Sequence, residues 1–268
     1  MPKRRPVMNG DAQSGPSLLE RVDLALASRL VKGVDHQEPL AVAQRVIDGV
    51  RRSTPADVAF LASALRLRGF VIFDEDAMAV VNGTPGRLSP LTQEYRLLRG
   101  LRECLALIRA RAANGQPPDG WFLVDLFRTM TAELPRFRNN DLRRGPPWDA
   151  VLYVSYPQSE ELRFLLDTFD VQHHFRDQPA AFLPLHPVRQ GFRLMWRFAR
   201  IAPFPDFNAV MGWLLMNAWL QWQGYPLILS ETGDQALVSR LLSGPPPQKI
   251  VQFEARLLAA VEEHRHAG

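Results

Sequence analysis

Ile201-Ala202-Pro203-Phe204-Pro205-Asp206-Phe207-Asn208-Ala209-Val210-Met211-Gly212-Trp213-Leu214-Leu215-Met216-Asn217 is the stretch that decides the fold. Two prolines within three residues make a tight turn, and the nearly unbroken apolar run from Ala209 to Leu220 makes a long core helix. Asp206 stands where an N-cap would be, just ahead of that run. Two readings are open at this point. A turn that feeds a helix N-terminus leaves backbone N–H groups pointing outward, and such a place can hold a phosphate. The plainer reading, which spacing by itself favours, is a capped core helix with no ligand.

Working outward, the 268 residues suffice for one large domain, or for one domain with a smaller helical annex. Apolar residues make up 46% of the chain, enough for a sizeable core. The formal net charge is only +4, although Arg so outnumbers Lys that the pI is about 9.6. Most basic residues are spread singly along helical patterns, as on solvated faces, so a nucleic-acid partner is not expected. The basic cluster Lys3-Arg4-Arg5 belongs to a polar tail with no apolar segment of a leader behind it. No uncharged run is long enough to span a membrane, so a cytoplasmic protein with no membrane partner is expected. A single cysteine, Cys104, excludes an intramolecular disulfide and a Cys-based zinc site. Its neighbours Leu101, Leu105 and Ile108 share a helical face with it, which makes it a buried structural thiol.

Residues 1–16 are rich in Pro, Gly, Ser and charge and are expected to be a disordered tail. Residues 17–84 are expected to be a short helical annex of three amphipathic helices. Ser17 caps the first, with Leu18, Val22, Leu26 and Leu30; Pro39 opens the second, with Val42, Val46 and Val50. Thr54-Pro55 starts the third, which Gly69 ends. Val71-Ile72-Phe73 is a strand or a buried connector, and Asn82 to Gly86 is a loop. Ser89-Pro90 opens a long helix that ends near Asn114-Gly115; a further helix carries Phe122, Leu126, Met130 and Leu134. Arg136, Arg138, Arg143 and Arg144 lie among prolines without periodicity, a functional or mobile loop. Ala150 to Pro157, with Leu152, Tyr153 and Val154 at its centre, is the one convincing β signal. Ser159 caps a helix after it. His173-His174 point to different faces and make a poor metal pair. His186-Pro187 starts the helix before the opening stretch, and two final helices, Gln235–Leu242 and one from Gln248 to about Glu262, flank Pro245-Pro246-Pro247.

On these residues the chain resembles the Fic (Fido) family, which transfers AMP or related groups to protein hydroxyls. The family motif is His-Pro-Phe-x-x-Gly-Asn-Gly-Arg-x-x-Arg, commonly followed by Leu-Leu-Met-Asn and then Gly-Tyr-Pro. Here Ala202-Pro203-Phe204 through Trp213 matches it, and Leu214-Leu215-Met216-Asn217 and Gly224-Tyr225-Pro226 follow. Val151 to Pro157 resembles the family's flap. The resemblance covers residues 85–262, leaves 263–268 as a tail, and implies a mainly α fold: a Fic-type helical bundle with a small β-hairpin flap, preceded by the annex.

The resemblance is specific in scaffold positions and fails in chemical ones. The motif histidine is the family's general base, and Ala202 in its place takes no proton. Phe207 and Ala209 replace the two glycines that let backbone close around phosphates. Val210 and Trp213 replace the arginines that clamp them. Pro203, Phe204, Asp206 and Asn208 survive, Asp206 at the family's magnesium position, where metal ligand and helix cap compete as roles. His186-Pro187-Val188 imitates the motif start without its continuation, and Thr129 to Glu133 imitates the family's inhibitory helix without an arginine for Glu133 to meet. The implied protein is a degenerate, binding or regulatory Fic-fold module with no catalytic residue, which does not adenylylate. It needs no cofactor, a magnesium–nucleotide being the one the resemblance would supply. It is expected to bind a protein partner and a nucleotide weakly or not at all. The alternative is a transferase of altered chemistry on a nucleotide or other small ligand in the old pocket, with Phe207 and Trp213 lining it and His173, His186, Arg193 or Arg200 as polar groups.

Overall fold

The computed structural model describes residues 17–32, 53–139, 141–151, 154–169, 182–231, 234 and 251–266. The expected tail at 1–16, the second annex helix, His173-His174, Leu152, Tyr153, the helix at 235–242 and the proline run 245–247 lie outside these residues. The described residues form nine α-helices: α1 (Leu18–Lys32), α2 (Pro55–Arg66), α3 (Asp74–Asn82), α4 (Gln93–Ala113), α5 (Gly120–Thr131), α6 (Leu162–Asp167), α7 (Pro187–Ile201), α8 (Asn208–Trp222) and α9 (Val251–His266). Two 3-10 turns, Pro135–Phe137 and Ser159–Glu161, complete the regular structure. The fold is mainly α, as the periodicities imply.

Helix starts follow the capping chemistry. Ser17 and Glu20 exchange hydrogen bonds at the head of α1, and Thr54 and Asp57 form the same box on α2, with Pro55 in its first turn. His186 caps α7 by accepting the Val188 N–H on Nδ1 (3.2 Å). The long helix α4 begins at Gln93 with Thr92 as its cap, three residues beyond the Ser89-Pro90 start. Helix α3 has no counterpart in the periodicity. Asp74, Glu75 and Asp76 favour its first turn through the helix dipole, and a left-handed Gly83 closes it. In the connector before it Ile72 is buried while Val71 and Phe73 are exposed.

Helix α8 is the hub, packed by α7, α4, α2 and α5. Its residues from Val210 to Leu220 are all buried, so its lack of a polar face is a consequence of its place. Helix α7 beside it is two-faced: Val188, Phe192, Met195, Phe198 and Ala199 face inward, and Arg189, Arg193, Arg197 and Arg200 face water. The pair closes tightly because glycines meet methionines reciprocally. A Cβ on Gly191 would lie 3.2 Å from the Met216 backbone oxygen, and one on Gly212 3.4 Å from that of Met195. Helix α1 packs on α9, and α1, α2 and α3 share one apolar core with α4–α9.

The expected β-hairpin flap is not seen. Among the described residues of Ala150 to Pro157 there is no strand; Val154 donates its N–H back to Val151 (3.3 Å), and the Tyr156 hydroxyl accepts the Val151 N–H (3.0 Å). An alternating apolar run needs a partner strand, and the loop before it is spent elsewhere. Arg143 N–H bonds the Pro203 carbonyl (2.9 Å) and Trp148 N–H that of Pro205 (2.7 Å). The Arg-rich loop is thus laid along the turn between α7 and α8.

Candidate functional site

The turn from α7 to α8 is built by its own residues. Ala202 adopts a left-handed conformation (φ 43°) that ends α7, its N–H bonded to Phe198 (2.9 Å). Pro203, Phe204 and Pro205 reverse the chain. The Phe204 ring lies flat on Phe127 of α5, 4.2 Å between centroids with planes 1° apart, and tilted against Phe198. Asn208 closes the loop from inside: its Oδ1 accepts the Phe204 N–H (3.0 Å) and its Nδ2 donates to the Phe204 carbonyl (3.0 Å). Phe207 is left-handed at φ 63°, a conformation costing roughly 1–2 kcal/mol for a side chain with a Cβ. Burial of the whole ring offsets this: it stacks on Phe70 (6.2 Å), meets Phe137 (5.7 Å) and lies under the Arg136 guanidinium (5.9 Å).

The charges of the turn are paired from three directions. Asp206 is 1% exposed. Its Oδ1 accepts the Phe207 N–H (2.7 Å) and Nε of Arg68 (2.5 Å), and its Oδ2 accepts Nη2 of Arg68 (3.3 Å) and faces Arg136 Nη2 (3.5 Å). It is therefore not the cap of α8. That position is Phe207, whose ring has no acceptor to cap the helix, and Asp206, one residue earlier, folds back onto the Phe207 amide. The anion at the α8 N-terminus is instead Asp149. Its Oδ2 accepts the Asn208 N–H (2.6 Å) and its Oδ1 the Asn208 Nδ2 (2.8 Å). Burial pushes the Asp149 carboxyl up and the Asp206 charge adds to this, against the Asn208 hydrogen bonds and Arg68. Arg68 is raised by its bond to Asp206, and Arg143, buried among carbonyls, is lowered by desolvation.

A helical bundle whose central pair is joined by a short proline turn has counterparts among solved structures. The chain superposes on a Fic domain containing signaling protein from Bacteroides thetaiotaomicron with a TM-score of 0.64 at 19% identity, over 92% of this chain and 94% of that one. Fic-1 from C. elegans (residues 134–508, E274G) matches with a TM-score of 0.66 at 14% identity, over 93% and 71%. This is a Fic fold. A Fic family protein from Desulfovibrio desulfuricans matches more loosely, with a TM-score of 0.54 at 14% identity over 95% and 76%. No protein-family model matches the sequence, and no curated protein sequence is similar to it.

Within this Fic fold the residues that resemble the motif are brought together and covered. Ala202, Phe204, Asp206, Phe207, Asn208, Val210 and Trp213 are each at most 4% exposed, and Pro203 is buried with them. Val154, the one described flap residue of the three, is half-buried and lines a cavity with Arg143 instead. A cavity of about 410 Å³ adjoins it and shares Arg143, Arg144 and Ser159, and one of about 500 Å³ opens away from the turn between the start of α2, Arg109, the Gly224–Glu231 segment and α9. Among the described residues no group of His, Cys, Asp and Glu could hold a metal ion. No helix among the described residues is long and apolar enough to cross a membrane. Cys104 is buried, its thiol on the Leu126 carbonyl (3.1 Å), and desolvation pushes it far up, as for an inert thiol. The mimic His186 joins Asp23 and Tyr225 (3.2 and 3.3 Å) well away from the turn in sequence, and Glu133 pairs with Arg99. Sequence reasoning missed Arg68, Arg136, Arg143 and Asp149. The Arg-rich loop was a signal for two of them; nothing local marks Arg68 or Asp149, whose partners are 138 and 59 residues away.

Proposed function

We propose that this Fic-fold protein is a degenerate member that does not adenylylate and acts by binding, with a protein as its partner and a regulatory role. One observation carries the reading: the Asp149 carboxylate sits on the Asn208 N–H at the start of α8, where an incoming phosphate would need that donor. An anion from the chain itself repels a second one there, and the buried Phe207 ring fills the space beside it. Asp206 does not suit a magnesium ion, because both its oxygens are engaged by Arg68 and a backbone amide and Arg136 stands close. Without a base at Ala202, proton transfer from a target hydroxyl loses a contribution of roughly a hundred- to ten-thousandfold. No magnesium–nucleotide is then required.

The test is incubation with labelled ATP, magnesium and a mixture of candidate proteins, on the wild type and on Ala202→His. Neither is expected to transfer label, because restoring the base leaves the phosphate seat occupied by Asp149. Transfer by the wild type that disappears in Asn208→Ala would end this reading and favour a transferase of altered chemistry.

A further inference from the structure

Arg143 is 5% exposed, yet every partner of its guanidinium is an uncharged carbonyl oxygen. Nε donates to Ala202 (2.7 Å), Nη1 to Gly145 (3.0 Å), and Nη2 to Pro157 (2.6 Å) and Ile201 (3.3 Å). Four of its five N–H donors are used in this way, and the Ile201 and Ala202 oxygens bring the partial negative charge of the α7 C-terminus, about half an elementary charge, which compensates the cation only in part. A buried guanidinium keeps its proton. The remaining positive charge is poorly screened and acts on the space beside it.

That space is a cavity of about 270 Å³ whose wall includes Arg143, Arg144, Ala150, Tyr156, Gln158 and Ser159 and no Asp or Glu. Arg144 is exposed, with no carboxylate partner among the described residues. The Tyr156 hydroxyl accepts the Val151 N–H (3.0 Å), which leaves its own proton to donate. Of the acids nearby, Asp149 is held by Asn208, Asp141, which lines the adjoining cavity with Arg144, is paired with Arg128 (2.6 Å), and Glu160 and Glu161 accept the Ser159 hydroxyl and the Gln158 N–H. We propose that this cavity is a binding site for a phosphoryl group, gripped by the Arg144 guanidinium and the Tyr156 hydroxyl over the buried charge of Arg143. A tetrahedral dianion with three acceptor oxygens uses two guanidinium charges and a hydroxyl better than a single carboxylate does. The volume suits free phosphate or one phosphorylated side chain and not a whole nucleotide. The Arg144 and Tyr156 side chains that would grip the group take no part in the proposed inactive turn, so the site stands or falls apart from that reading.

The test is isothermal titration calorimetry on the full chain with inorganic phosphate in one arm and a short phosphoserine peptide in the other, at ionic strength matched with sodium chloride. Saturable binding is expected; tighter binding of the peptide assigns the phosphoryl group to a protein, and equal or tighter binding of phosphate assigns it to the free ion. Arg144→Ala is expected to weaken affinity roughly ten- to hundredfold, Tyr156→Phe less, and Arg144→Lys to retain part of it. Arg143 holds the α7 C-terminus, so the exposed Arg144 carries the test. No saturable heat in either arm overturns the proposal. So does an affinity unchanged in Arg144→Ala and Tyr156→Phe, or an equal loss in Arg87→Ala, a charge outside the cavity.

Discussion

The turn at residues 202–208 and the loop at 138–149 lie side by side, both rich in proline and both carrying charge, and they have opposite fates. In the turn the charge of Asp206 is paired with Arg68 and Arg136, Asn208 is hydrogen-bonded to Asp149, and the Phe204 ring lies on Phe127. In the loop Arg143 is buried on carbonyls, Arg144 stands free, and a polar cavity opens next to them. The part of the chain that most resembles a motif is core. The part with no motif keeps the unspent charge. The residues that line up with the motif are spent on packing and pairing, and the loop beside them holds an arginine exposed to water.

That contrast can be broken at Phe207 first. Phe207→Ala removes a fully buried ring and is expected to cost about 3–5 kcal/mol in urea unfolding. Phe207→Gly is expected to be less damaging than Phe207→Ala by about 1 kcal/mol, because the backbone is left-handed at this residue. A loss below about 1 kcal/mol for Phe207→Ala would mean that the turn is not core. Next comes Asp149→Ala, which strands the buried Asn208 donors and is expected to cost about 1–3 kcal/mol. A neutral result would make the turn as wet as the cavity beside it.

The pH dependence sharpens the same point. Burial raises the Asp149 pKa in the folded chain, so the folded state holds its proton more tightly than the unfolded one. Its favourable contribution is complete below the unfolded value near 3.9 and is lost as pH rises through the raised folded value. Wild type should therefore gain stability relative to Asp149→Asn as pH falls through that window, measured by thermal unfolding at a series of pH values. A difference that stays flat would place Asp149 in water. The smallest expected change is that of Arg144→Ala on the melting temperature, which should not move, since that side chain is exposed. A drop of several degrees would make the loop structural after all.

Much of the fold was legible in local chemistry. The boxes at Ser17 and Thr54, the Pro187 start and the apolar run of α8 are decided within a few residues of themselves. Helix α3 was not, because its stabilising signal is three acids on the first turn and not an apolar stripe. The flap failed for another reason. Alternation at 150–157 is a statement about two faces, while a strand needs a neighbour, and its neighbouring loop is bonded to Pro203 and Pro205. Asp206 as a cap failed by one residue, because the left-handed Phe207 takes the cap position.

The sequence by itself determined that a proline turn enters a wholly apolar helix, and that neither a proton-accepting histidine nor the motif arginines stand there. Both are properties of residue type and order, which survive any packing. Tertiary structure alone decided that the helix start is occupied by Asp149, that Asp206 belongs to Arg68 and Arg136, and that Arg143 is left among carbonyls. Partnerships of that kind depend on which segments folding brings within about 3 Å of each other, and hydrogen bonds act only over that distance.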